Sequence, residues 1–182
     1  MKKKQANKNF SVFSGVRALT LAAMLTAMSV VIGIFCKNFM NFGGGLFRIT
    51  FENLPIILSG IIFGPVVGSA VGVATDLISY LLSNQIYPPN LVVTLGAAVI
   101  GLVSGLVSKY VVRKNGYSKI ILSTLLAHVL GSMIIKTAGL FVFYSWMVLW
   151  RIPVYLVISA VETTVLCLMY KNSNFKKLLG WN

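Results

Sequence analysis

Leu91-Val-Val-Thr-Leu-Gly-Ala-Ala-Val-Ile-Gly-Leu-Val-Ser-Gly-Leu-Val-Ser108 runs for eighteen residues without a charge. At about 1.5 Å per residue, a helix of that length covers nearly the ~30 Å hydrocarbon thickness of a bilayer. The rest of the chain has the same character. It is 182 residues long, 57% apolar and only 10% charged, with a mean hydropathy of +0.87. A soluble domain carries about 25% charged residues, so the composition places this chain in a membrane. The net charge of +13 also suits a nucleic-acid binder, but such a protein spreads its cations over a solvated surface. Here they are excluded from the long apolar runs, and no nucleic-acid partner is expected.

Similar runs at Ala18–Phe35, Phe51–Phe63, Val66–Leu82, Leu91–Tyr110, Ile120–Phe143 and Ile152–Tyr170 predict six transmembrane helices in a single all-α membrane domain, residues 1–182. The alternation of a membrane β-barrel, in segments of about ten residues, is missing. The second run follows Arg48, carries Glu52 and soon meets Gly64-Pro65. It should be short, tilted or partly re-entrant. The first, though preceded by lysines, lacks a small-residue cleavage site and reads as a retained helix rather than a signal peptide.

The basic residues orient the helices. Lys2, Lys3, Lys4, Lys8 and Arg17 precede the first span. Lys109, Arg113, Lys114 and Lys119 flank the fourth connection, and Lys171, Lys176 and Lys177 follow the last span. Six crossings put these twelve of the sixteen cations on one side, and positive loops stay cytoplasmic. The tails, 1–16 and 171–182, are therefore expected inside. Lys37, Arg48, Lys136 and Arg151 lie on or toward the outside. Cys36 and Cys167 fall near opposite faces, so no disulfide is expected between them.

All three carboxylates, Glu52, Asp76 and Glu162, fall within or at the edge of apolar spans. Ionisable groups at that depth usually face a cavity or a partner. Gly72, Asp76, Ser79, Tyr80 and Ser83 share a face of the third span. His128, Ser132 and Lys136 form a stripe on the fifth, and Arg151, Tyr155, Ser159 and Glu162 another on the sixth. Counting from the span ends puts Asp76 and Lys136 about 10 Å from the outer boundary, and His128 and Glu162 about 13 Å from the inner one. Two pairs are expected, Asp76 with Lys136 and His128 with Glu162. The outer pair can be purely structural or can line a ligand cavity open to the outside.

The outer connections are built for binding. Lys37 to Arg48 contains three consecutive glycines and three Phe, as a loop closing over a ligand needs. Asn84 to Asn90 carries Pro88 and Pro89, and Asn90 is placed to cap the fourth span. Trp146 and Trp150 belong either to an interfacial belt or to a binding rim. Gly64, Gly68 and Gly72, and again Ala97, Gly101 and Gly105, recur every fourth residue, a spacing that lets helices approach closely. On the first span Ala18, Ala22, Ala23 and Ala27 make two adjacent small stripes, the best candidates for docking another protein.

No Gly-x-x-x-x-Gly-Lys-Ser/Thr loop is present for ATP. One His and two distant Cys make neither a metal site nor any other resident cofactor expected. Against that background, Arg48-Ile-Thr-Phe-Glu-Asn-Leu-Pro55, Phe63-Gly-Pro-Val-Val-Gly68 and Gly72-Val-Ala-Thr-Asp-Leu-Ile-Ser79 closely resemble the S (substrate-capture) components of energy-coupling factor (ECF) vitamin transporters. The folate branch is the most similar, although Tyr87-Pro-Pro-Asn90 stands where the family often has a Tyr-x-Pro-Gly-Phe-like string. The resemblance implies an N-in/C-in six-helix bundle in a bacterial cell membrane. It also implies a transmembrane coupling protein and two ATPases as partners, and a subunit that topples to deliver its vitamin. The family's Ala-x-x-x-Ala docking motif matches Ala23 and Ala27, with Ala18 and Ala22 as a second copy.

For folate, Asp76 suits the paired N–H donors of a pterin edge. Lys136, Arg48 or Arg151 suits the carboxylates of the tail, and Phe47, Tyr80 and Tyr155 suit the flat rings. Asn90 completes the binding set. The four outer cations exceed Glu52 and Asp76 by two charges, which fits a dianion. Pantothenate or riboflavin are the next ligands to test. A reading from another class is an intramembrane enzyme using His128 and Glu162 as an acid–base pair. It needs a substrate path from the inner side.

Overall fold

Chains of apolar residues in lipid must satisfy their backbone groups internally, which leaves helices as the spanning form here. The computed structural model describes residues 15–42, 47–83, 90–112 and 116–172. The two basic tails, the glycine run at 43–46, the Pro-Pro segment at 84–89, the basic connection at 113–115 and the side chains of Phe47 and Arg48 lie outside the described residues.

The order is α1 (Val16–Phe39), β1 (Asn41–Phe42), β2 (Phe47–Arg48), α2 (Asn53–Phe63), α3 (Pro65–Leu82), α4 (Leu91–Leu106), α5 (Tyr117–Ala127), α6 (Thr137–Tyr144) and α7 (Arg151–Lys171). A π-helical turn, Val107–Val111, extends α4. A π-helical stretch, His128–Lys136, joins α5 to α6 in one rod. A 3-10 segment, Ser145–Trp150, leads into α7. Five of these rods are long and apolar enough to cross a membrane, and α2 is the shorter sixth helix. The protein is an all-α, multi-pass membrane bundle. The residues flanking the first connection pair as short strands: β1 and β2 run antiparallel, Asn41 with Arg48 and Phe42 with Phe47.

Gly64 ends α2 at φ +95°, a backbone angle that favours glycine. Pro65 then opens α3 at a position where its missing N–H costs nothing. That turn folds α3 back beside α2, and both meet α4 along their small residues. A Cβ on Gly68 would lie 2.5 Å from the Gly101 carbonyl oxygen and 2.7 Å from the Gly60 Cα. One on Gly72 would lie 2.2 Å from the Ala97 carbonyl, and one on Gly105 2.4 Å from the Pro65 nitrogen. The two glycine stripes therefore face each other, backbone against backbone. Ile56, Ile57, Ile61, Val71, Ile100, Val103, Ile120 and Leu166 fill the core around this seam.

The outward face is apolar. Leu19, Val31, Leu81, Leu91, Leu95, Ile134, Val157 and Leu168 are exposed, while the buried set includes Glu52, Asn53, His128, Lys136, Arg151 and Glu162. Apolar groups outside and polar groups inside is the arrangement lipid requires. Cys36 and Cys167 are both free.

Candidate functional site

The polar side chains collect in two places. In the first, α3 presents Asp76 toward α4, where the Thr94 hydroxyl donates to Asp76 Oδ2 at 2.6 Å. On the far side of α4, Lys136 closes the π-helical stretch and is only 6% exposed. Its Nζ donates to Asn53 Oδ1 at 3.1 Å and lies 3.5 Å from Glu52 Oε1. The Ser29 hydroxyl donates to the Glu52 backbone oxygen, tying the start of α2 to α1.

Two glycines make room for this ion pair. A Cβ on Gly96 would sit 2.6 Å from Lys136 Cγ, and one on Gly33 would sit 2.7 Å from Glu52 Oε2. The expected Asp76–Lys136 pair is not formed. The reason is the order of helices around the bundle: α4 packs against both α3 and the π-helical stretch and stands between the two side chains. Each finds a nearer partner, Thr94 for Asp76, and Glu52 with Asn53 for Lys136.

The remaining predicted binding residues are distributed as follows. Tyr80 is half-buried. Arg151 and Tyr155 are buried, at 7% and 8% exposure, on the same inward stripe of α7 as Ser159 and Glu162. Phe47 and Arg48 belong to β2, which leads to the start of α2 where Glu52 stands. Asn90 caps α4, its Oδ1 accepting from Val92 N at 3.0 Å, while its Nδ2 donates to the Gly139 carbonyl at 2.6 Å. It thereby ties the start of α4 to α6. Asn90→Ala should lower stability by about 1–2 kcal/mol, one cap and one hydrogen bond. Thermal unfolding in detergent measures it, and Asn90→Asp, which keeps the cap acceptor, should recover part of the loss. A result within 0.3 kcal/mol of wild type, on the order of measurement scatter, would remove Asn90 from this role.

Sequence reasoning missed Thr94, Asn53 and the partnership of Glu52 with Lys136. Thr94 carried one faint signal, a hydroxyl in the first turn of an otherwise apolar run. Lys37 was also undervalued, for its Nζ reaches to 3.5 Å from the Ser79 carbonyl and so links α1 to α3.

The second cluster is fully buried. His128 Nε2 and Glu162 Oε2 are 2.7 Å apart, both side chains at 0% exposure. Ser132 Oγ stands 3.4 Å from His128 Nδ1. Glu162 Oε1 and Ser123 Oγ have no hydrogen-bond partner among the described residues. The expected pair is therefore present. Its burial gives a substrate no route to it, as an acid–base pair would need.

On α1 the two small stripes separate. Ala22 is buried in the core and Ala18 is half-buried, whereas Ala23 and Ala27 lie on the exposed face. This corrects the expectation for Ala22: helix rotation turns it inward, so it presents no surface to another protein.

Residues 17–181 match the family described as ECF transporter, substrate-specific component. The fold is similar to that of FolT bound with folic acid, at a TM-score of 0.62 and 23% identity, with 91% of this chain and 94% of that one covered. In sequence the chain is 25% identical over 104 residues to an uncharacterized Mycoplasma pneumoniae protein, the MG098 homolog. That match covers 57% of this chain and 21% of the Mycoplasma protein, so it spans about a fifth of that relative's length. The family is one of transport subunits rather than enzymes, and such a component works with the other parts of an ECF transporter to take up a substrate. With a match over nearly its full length, the chain belongs to the substrate-specific component family of ECF transporters.

Proposed function

We propose that this subunit captures folate from the outer side of a bacterial cell membrane. It hands the vitamin on through a transmembrane coupling protein driven by two ATPases. The observation that carries the ligand reading is the Thr94–Asp76 hydrogen bond. An ionised carboxylate has about four acceptor sites. Thr94 takes one and holds the group in place, and the pterin edge of folate offers the paired N–H donors that suit the rest. The likeness of fold to folate-bound FolT supports the same ligand. Lys136, Arg48 and Arg151 supply positive charge for the two tail carboxylates, and Phe47, Tyr80 and Tyr155 supply ring faces. The positive-inside bias supports cytoplasmic tails, and the exposed Ala23 and Ala27 support docking of the coupling protein on α1, where small residues allow close approach.

Calorimetry on the purified subunit tests this without any ATPase present. Folic acid should give a saturable heat. Asp76→Ala and Lys136→Ala should each weaken binding at least roughly tenfold, the effect of one charge-assisted hydrogen bond. Unchanged affinity in both variants would discard the site, and heat with riboflavin but not folic acid would discard the ligand.

A further inference from the structure

Asn53 is the first residue of α2 and is 2% exposed. Chemistry fixes which way its amide points. An ammonium only donates, so the atom that Lys136 Nζ meets at 3.1 Å is the amide oxygen. The Nδ2 group, on the other arm of the same plane, keeps two hydrogens that meet no acceptor among the described residues. Amide hydrogens left unpaired at such burial are costly and rare. Lys136 also has a donor to spare. Of its three hydrogens, one goes to Asn53 and one faces Glu52 Oε1 at 3.5 Å. The helix itself adds to this, for Glu52 at its N-cap makes no side-chain cap, and open N–H groups at a helix N-terminus favour an anion. We propose that Asn53 is a ligand-binding residue, its Nδ2 donating to a carboxylate oxygen of the folate tail while Lys136 meets the same carboxylate. The proposal rests on the folate reading above and deepens it.

A neutral donor is needed here because the cation is already partly answered. Glu52 is held beside Lys136: Ser29 donates to its backbone oxygen, and its Oε2 packs against Gly33, where a Cβ would come within 2.7 Å. A second carboxylate therefore gains less from Lys136 than a lone cation would offer. Hydrogen bonds from the Asn53 amide carry no such discount, since they do not depend on net charge. A carboxylate has about four acceptor sites, enough for both partners. Selectivity follows, because a charged acceptor makes the stronger bond to the same donors than a neutral ester does.

Calorimetry on the full-length subunit tests this with folic acid and its dimethyl ester. Asn53→Leu, similar in size but without donors, should weaken folic acid binding roughly tenfold and the ester by no more than about threefold. A cycle with Lys136→Met separates direct contact from support of the lysine. If Asn53 touches the ligand, its loss still costs folic acid at least about threefold where the ammonium is gone. An effect that vanishes in that background makes Asn53 a positioning residue for Lys136 and overturns the proposal. Unchanged acid affinity in Asn53→Leu overturns it too, as does an equal fall for acid and ester. If Asn53→Leu does not fold, Asn53→Asp keeps the shape and the acceptor for Lys136 but has no donor. It should lose more than about tenfold for folic acid, and undiminished affinity there overturns the proposal equally. Failure of wild type to bind folic acid at all is a different result, and it removes the folate reading together with this one.

Discussion

Glu162→Ala is expected to destabilise the folded subunit by about 3–5 kcal/mol, the penalty for breaking a buried ion pair and leaving one partner stranded. His128 and Glu162 meet at 2.7 Å with no exposure, so no solvent is available to take over the lost contact. Neutral hydrogen bonds between membrane helices are worth far less, about 0.6 kcal/mol on average, because the unfolded chain in lipid also finds partners. The size of the effect therefore reports the charge character of the pair. Glu162→Gln keeps an acceptor for the histidine but strands the same partner charge, and should fall between that value and the ~1 kcal/mol of a single hydrogen bond. Reversible denaturation in mixed micelles gives both values. Ala and Gln variants that both stay within about 0.5 kcal/mol of wild type, the range of inert substitutions, would show that the pair does not hold the π-helical stretch to α7. Folic acid affinity should change less than stability in any Glu162 variant that folds, since the pair makes no hydrogen bond or ion pair to Asp76 or Lys136. A joint loss of affinity and stability would put it back among the binding groups.

The glycine seam predicts the second large effect. A Cβ on Gly101 would stand 2.0 Å from the Gly68 carbonyl oxygen and 2.2 Å from its carbon. Both are backbone atoms, so no rotamer change relieves the clash and α3 must move away from α4. Overpacking costs about 1–3 kcal/mol when side chains adjust, and Gly101→Ala should reach or exceed the top of that range. Two other glycines calibrate it. Gly139→Ala meets Val92 Cβ at 2.9 Å, a much milder overlap than at Gly101, and should cost less. Gly116→Ala meets nothing within 4 Å and should be neutral. Melting temperatures should therefore fall in the order Gly116, Gly139, Gly101, and a Gly101→Ala variant as stable as Gly116→Ala would show that the helices do not touch there.

Much of this architecture can be read in the sequence because its signals are one-dimensional. Apolar runs such as Leu91–Ser108 report helices through length alone. His128 and Glu162 could be paired because equal depth on two inward stripes leaves few alternatives. The stripes at Gly64, Gly68, Gly72 and at Ala97, Gly101, Gly105 marked two smooth faces. That those faces meet each other is a three-dimensional fact with no local signature. Asp76 and Lys136 failed as a pair for the same reason: depth was right, but the neighbour order that puts α4 between them is not encoded in spacing. At Ala22 the error is one of rotation, because it points about 100° away from its exposed neighbour Ala23. The π-helical stretch at His128–Lys136 carries no residue pattern that distinguishes it from an ordinary turn.

The brevity of α2 has a consequence for how deep the polar cluster at its start lies. Its eleven residues, Asn53–Phe63, rise about 16 Å, roughly half the hydrocarbon slab. Before it runs the non-helical segment leading to Glu52, whose backbone is held by Ser29 and by the Ile49 N–H bonded to the Met40 carbonyl at 3.2 Å. Irregular backbone at such depth persists only against protein or water. With the tails inside, as proposed, the shortfall is on the outer side. The start of α2, where Glu52 and Asn53 meet Lys136, is then reached from outside without crossing the full thickness of the slab.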